Sequence, residues 1–412
     1  MNLLLLVFLV ASATASNYIT GRTTDWTDND TSTQPNYPTS SPAPGRNTDR
    51  ECACSLDNYW LDVVAVVDNS AGMTAEGLVQ VAADISSLFG QSRVGSNYSD
   101  PRSVRLAIVT YNSQATISAN LDYFQSTDQL MQYIFGTLTV SQNSLSYVST
   151  GLGAAEKVLE VGRANGRRKN YKQVVIVYAS DYREDGDHDP VPPANRLKES
   201  GVTVITVAFD QNGDESSIRK IGTLASPGNA FINTDMNLVG EIQGALCQAN
   251  CFCPDLWVQY STRFGDAAAY KYGVCLKDAT IAASWTAAKF ACQSLHPGGY
   301  LATEFDSQKH SFIFQNFIND KAQSQPYMYH IGLHYINGRY QWEQPKNQAL
   351  IPLSGYTNWN PGYPSNPTST PCVLSQQAGS DVRTGWQNEN CFTVTKNYVC
   401  EVASCDTDNY CS

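Results

Sequence analysis

No stretch of this 412-residue chain comes near the roughly 20 apolar residues that a membrane-spanning helix needs. The apolar run at residues 3–10 is only about eight long. Basic residues are also in deficit, with 27 Lys and Arg against 38 Asp and Glu and a formal charge of −11. That balance disfavours nucleic acid and anionic membrane as partners. The charges are scattered, so the excess bears on solubility more than on a partner. Reactive motifs are missing as well: there is no phosphate-cradling loop and no Ser or Cys nucleophile signature. His330 and His334 stand four apart, but on an expected strand and without the glutamate of H-E-x-x-H. An enzyme is not expected. No internal repeat is present.

What is present points to an oxidising compartment. Residues 3–10 lead into Ala13-Thr14-Ala15, so residues 1–15 read as a secretory signal, although no Lys or Arg precedes the apolar run. Twelve cysteines, an even number, argue for a disulfide framework rather than metal thiolates. Asn29 and Asn97 each head a glycosylation sequon. Residues 16–50 are rich in Ser, Thr, Asn, Asp and Pro and are expected to be a disordered leader. Order is expected from about Cys52, in a secreted, extracellular protein without a membrane anchor.

From Trp60 onward, short Val/Ile-rich runs at 61–67, 104–110, 174–178 and 202–209 alternate with helical periods. Those periods lie at 78–89, 129–135, 153–161, 194–199 and 218–224. Buried strands alternating with helices imply an α/β doubly wound, mainly parallel sheet covered on both faces. Ligands of such sheets sit beyond the carboxyl ends of the strands, where Asp68 and Asp181 fall. Past Cys253-Pro254 the chain becomes rich in Trp, Tyr, Gly and Pro. Helices are expected at 284–292 and 307–320, with short strands and long loops held by cysteines around them. That change of character marks a separate domain, whose resemblance, set out below, implies an α+β fold.

The loop Asp68-Asn69-Ser70-Ala71-Gly72, together with this strand–helix order, resembles the von Willebrand factor A family over about residues 58–247, inside an expected domain at 52–251. In that family a D-x-S-x-S motif, a later hydroxyl and an Asp after the fourth strand hold a divalent cation. The resemblance implies Mg²⁺ (or Mn²⁺) on Asp68, Ser70, Ser146 and Asp181, with Thr150 as a competing register for Ser146. At the third motif position stands Gly72, which has no side-chain oxygen. The loop Asp185-Gly186-Asp187-His188-Asp189 lacks the EF-hand spacing, since Pro190 and Arg196 stand where Gly and Glu belong, and is expected to be a solvated rim.

Residues 253–401 resemble the C-type-lectin-like family. The signature is Cys253-Pro254-Asp255-Leu256-Trp257 with Cys275, then Cys292, His330-Ile331-Gly332-Leu333, Cys372, Trp386, Cys391 and Cys400. The resemblance implies the pairs Cys292–Cys400, Cys372–Cys391 and Cys253–Cys275. Cys405 and Cys411 are then expected to close a loop in a short tail, 402–412. Cys52 and Cys54 would pair with Cys247 and Cys251 in an order left open. Calcium-dependent members carry E-P-N or Q-P-D and W-N-D triplets, which here become Tyr363-Pro364-Ser365 and Trp386-Gln387-Asn388. Calcium wants several carboxylates among its oxygens, and Glu389 is the one nearby, so Ca²⁺ is not expected in this domain. Ligand contacts are assigned to Trp359, Tyr363, Ser365, Gln387, Asn388 and Glu389, with the exposed aromatics, Tyr356 among them, available either for stacking on a ligand or for packing the loop.

The module pair resembles secreted nematode lectin-like proteins, often linked to innate defence. It implies an extracellular recognition or adhesion protein binding glycans or proteins. The alternative is a structural matrix protein acting through the A-like domain, with no sugar binding.

Overall fold

The computed structural model describes residues 47–95, 99–164, 168–210, 214–320, 322–379 and 383–411. The signal segment, most of the expected leader and both sequon asparagines, Asn29 and Asn97, lie outside the described residues.

The first module is built on six strands and six α-helices. In chain order they are β1 (Leu61–Asp68), α1 (Thr74–Phe89), β2 (Arg105–Tyr111), β3 (Ala115–Ala119), α2 (Thr127–Thr137) and α3 (Val148–Ala164). Then come β4 (Lys172–Ala179), α4 (Val191–Glu199), β5 (Thr203–Ala208), α5 (Glu215–Thr223), β6 (Ala230–Ile232) and α6 (Leu238–Ala249). The sheet order is β3-β2-β1-β4-β5-β6, and β3 alone runs antiparallel to its neighbour. Central β1 is buried along its whole length. Its alternate side chains feed two separate cores, Val63, Ala65 and Val67 on one face and Val64 and Val66 on the other. This is the two-faced burial that a continuous apolar strand requires.

The second module continues with β7 (Val258–Ser261), β8 (Lys271–Ser284), α7 (Trp285–Leu295), β9 (Tyr300–Leu301) and α8 (Ser307–Asn319). After these follow β10 (Met328–Ile336), β11 (Arg339–Trp342), β12 (Ile351–Pro352), β13 (Cys372–Gln377), β14 (Thr384–Glu389) and β15 (Thr395–Ala403). They form one mostly antiparallel sheet, in which β15 lies antiparallel to β8 and the β13–β14 hairpin pairs with β10. A long loop leaves β12 and returns at β13. Six disulfides form: Cys52–Cys251, Cys54–Cys247, Cys253–Cys275, Cys292–Cys400, Cys372–Cys391 and Cys405–Cys411. The order left open for Cys52 and Cys54 is thus settled. Bridging residues 199 apart, Cys52–Cys251 contributes on the order of 5 kcal/mol in the chain-entropy model.

The described segments 47–50 and 404–411 lock onto the modules more firmly than their composition implies. Residues 47–50, expected in the disordered leader, are placed by specific contacts. Asn47 donates to the Pro352 carbonyl, and the Asp49 carboxylate is buried against the Lys309 ammonium. Arg50 forks onto Asp406. The tail beyond Ala403 is equally fixed. Trp60 donates from its indole to the Asp406 carbonyl at 2.9 Å and sits among Tyr171, Phe252 and Tyr410. Head and tail therefore fasten the second module to the base of the first.

Candidate functional site

The first site lies beyond the carboxyl ends of β1 and β4, which are parallel neighbours with Val67 opposite Tyr178. β1 ends on Asp68, and β4 leads into Ser180 and Asp181. Asp68 is fully buried, and both its oxygens are engaged. Oδ1 accepts from the Ser70 amide at 2.8 Å. Oδ2 accepts from the Ser146 hydroxyl at 2.8 Å, the Ser180 hydroxyl at 2.6 Å and the Ser180 amide at 3.1 Å. Ser146 sits just ahead of α3, whereas the Thr150 hydroxyl turns back onto the Tyr147 carbonyl within that helix. The geometry thus brings Ser146, and not Thr150, to Asp68.

Asp181 stands at the mouth of a cleft of about 270 Å³, lined in part by Ser70, Gly72, Ser144, Ser180 and Arg183. Its Oδ1 accepts from the Tyr182 amide, and its Oδ2 pairs with Arg183 Nε at 2.7 Å. Two carboxylates and two or more hydroxyls form an oxygen-only donor set, which suits a small hard dication. Two features of this chain modify the fit. Gly72 brings no oxygen, and Arg183 already places a positive charge on Asp181. On the rim, Tyr147 stacks on His188 and donates to Asp185, which fixes the 185–189 loop as a wall rather than a calcium loop.

The second site is the long loop between β12 and β13. Asn388, on β14, ties it down. The Asn388 carboxamide oxygen accepts from the Ser365 amide at 2.8 Å, and its nitrogen donates to the Ser365 carbonyl at 2.5 Å. The same nitrogen reaches the Thr370 carbonyl at 2.7 Å and the Thr370 hydroxyl at 2.9 Å. Asn360 adds bonds to the carbonyls of Gln376 and Gly385, and Asn358 one to that of Thr384. Donated N–H groups here draw carbonyl oxygens together, the arrangement a cation would otherwise impose. The Tyr363–Pro364 bond is cis.

Glu389 does not face this loop. It lies 3.3 Å from His330 Nδ1, and its carboxyl is pushed up to about 8 by burial. Burial also holds His330 down to about 4, and its Nε2 meets the Ala283 carbonyl at 3.0 Å. The Nε2 proton therefore goes to Ala283, and Nδ1 faces Glu389 with no hydrogen bond between them. The one carboxylate expected beside the second triplet thus lies against His330, and its burial favours the protonated form. Trp359 differs from expectation too. It packs against Tyr340 at 5.0 Å and Trp386 at 5.5 Å, and Tyr356 also contacts Trp386. Both aromatics pack, half-buried, against the domain core, and Tyr363 is half-buried as well.

Comparison with known proteins assigns each module. The von Willebrand factor type A domain family matches residues 62–245, and the Lectin C-type domain family matches residues 281–402. The chain pairs a von Willebrand factor type A domain with a C-type lectin domain. C-type lectin domain-containing protein 160 of Caenorhabditis elegans is 30% identical over 396 residues, 93% of this chain. The chain spans 59% of that relative's length. Lectin BRA-3 of Megabalanus rosa is 28% identical over 163 residues, 38% of this chain and 83% of that lectin. Among solved structures, proximal thread matrix protein 1 from the mussel byssus, with a zinc-occupied MIDAS motif, overlaps 47% of this chain and 48% of its own. Its identity is 19% and its TM-score 0.38, too loose an overlap to bear on function.

Both families are generally non-catalytic binding modules, and a divalent cation is compatible with the A domain's cleft. Sequence reasoning had located Asp68, Ser70, Ser146 and Asp181, which converge. It missed Ser180 and Arg183, although Ser180 precedes Asp181 and Arg183 stands two residues after it. In the lectin domain Ser365 and Asn388 come together, whereas Gln387, opposite Leu374 in the β13–β14 hairpin, and Glu389 do not join them. The amides Asn358 and Asn360 were missed because their role depends on carbonyls from β13 and β14.

Proposed function

We propose that this protein is an extracellular recognition or adhesion molecule whose lectin domain binds a glycan or protein ligand without calcium, with the A domain as a second, cation-dependent protein-binding module. The observation that carries the reading is Asn388. In a calcium-dependent loop this position needs a carboxylate; here an amide bonds Ser365 and Thr370 directly, and Glu389, whose burial favours its protonated form, faces His330. A loop already held by amides has no need of a cation to be ordered. Tyr363, half-exposed beside Pro364, is the aromatic best placed for a ligand ring. Six disulfides and the absence of any sufficiently long apolar helix among the described residues accord with an extracellular setting.

A glycan and extracellular-protein array probed with the full chain, in Ca²⁺ and in EDTA, tests this. Binding through the lectin domain is expected to be equal in both buffers and weakened by Tyr363→Ala. Binding that vanishes in EDTA and is insensitive to Asp181→Ala would contradict it. Binding lost in EDTA and also lost in Asp181→Ala would place the ligand on the A domain, the adhesion-protein alternative.

A further inference from the structure

The A domain's cleft lacks an oxygen at Gly72, and we propose that the Ser180 hydroxyl supplies it, so that a divalent cation here is held by Asp68, Ser70, Ser146, Ser180 and Asp181. This rests on the cation-binding reading of the cleft. A Cβ built on Gly72 would stand 3.3 Å from Ser180 Oγ and 3.6 Å from Ser70 Oγ. A side-chain oxygen at position 72 would therefore project into the space where Ser180 already presents one. The register of β4 on β1 puts it there, because it sets Ser180 beside Asp68 at the strand ends.

The hydrogen bonding also suits a ligand. Ser180 Oγ donates to Asp68 Oδ2 at 2.6 Å, and Ser146 Oγ donates to the same oxygen at 2.8 Å. A hydroxyl whose hydrogen is committed to a carboxylate keeps its lone pairs for a cation. Ser146 and Ser180 thus flank Asp68 in matching roles, and Ser180 lines the cleft alongside Ser70 and Asp181. A hard cation gains from each neutral oxygen added to two carboxylates. One hydroxyl at this place, from either residue 72 or residue 180, completes the shell.

Mn²⁺ titration of the full chain by calorimetry, with electron paramagnetic resonance to count bound ion, is the test. Ser180→Ala is expected to weaken Mn²⁺ at least about tenfold and Ser180→Thr by no more than about threefold, on the scale of lost metal-site contacts. Adding Gly72→Ser to Ser180→Ala should recover most of the loss, which it would not do if Ser180 served only to position Asp68. A wild-type chain that takes up no Mn²⁺ at millimolar concentration overturns the cation reading itself. Wild-type binding with Ser180→Ala unchanged, or a double variant that recovers nothing, overturns the Ser180 assignment alone.

Discussion

At the scale of single residues, two charges decide how the sites behave. Arg183 and an incoming cation compete for the same Asp181 oxygen. Because the pair is partly exposed, it is worth no more than about 1 kcal/mol, so Arg183→Met should tighten Mn²⁺ by about two- to fivefold. A loss of affinity in that variant would show that Arg183 supports the site instead. Glu389 governs a pH dependence. Its carboxyl titrates near 8 in the folded chain against 4.5 in the unfolded one, so its stabilising contribution is complete below 4.5 and is lost as pH rises through 8. His330 acts in the opposite direction. Held near 4, it contributes fully above 6.5 and loses that contribution as pH falls through 4. Between pH 6.5 and 8 the Glu389 carboxyl contributes a loss of about 2 kcal/mol at most, alongside Asp49 and Asp278, whose carboxyls burial raises to about 7. Thermal melts should therefore show a falling Tm from pH 6.5 to 8, with a flatter profile in Glu389→Gln. Equal slopes in both proteins would contradict the burial-raised Glu389 carboxyl.

At the scale of elements, the long loop between β12 and β13 depends on Asn388. Asn388→Ala leaves the Ser365 amide and the Thr370 carbonyl without their side-chain partner, while the Ser365 carbonyl keeps the Thr370 hydroxyl, and should cost about 2 kcal/mol. Hydrogen exchange within residues 353–371 should quicken with it, while β15 stays protected. Most elements were legible in the chain because continuous Val/Ile runs and cysteine spacing are strong, local signals. Helix α6 was not identified, although Leu238, Ile242, Ala245, Leu246 and Ala249 recur at helical spacing. The short strands β3 and β6 escaped because three to five residues at a sheet edge carry little periodicity. Trp359 was read as exposed because its neighbours Asn358, Asn360, Pro361 and Gly362 look like a solvated loop. Its partners Tyr340 and Trp386 come from other strands, which local composition does not reveal. The direction of Glu389 was hidden for the same reason, since it depends on His330 from a strand that only the fold brings near.

At the scale of the whole molecule, residues 47–50 are fastened to the second module through a buried ion cluster. Lys309 is wholly buried with Asp49, Glu401 and the Thr303 hydroxyl. Asp49 lies 260 residues away in sequence, so a leader composition concealed it. Burial raises its carboxyl to about 7, with Lys309 pulling the other way. Lys309→Met would strand two buried carboxylates and should cost about 3–5 kcal/mol in a chemical denaturation midpoint. Asp49→Asn should cost clearly less, because Glu401 still satisfies the ammonium. Similar losses in both would mean that Asp49, not Glu401, is the main partner. The central claim, that the lectin domain's ligand loop is ordered by amides in place of calcium, is tested most directly by hydrogen exchange over residues 353–371 of the full chain. Protection there should be the same in millimolar Ca²⁺ and in EDTA; protection that appears with Ca²⁺ and collapses in EDTA would contradict it.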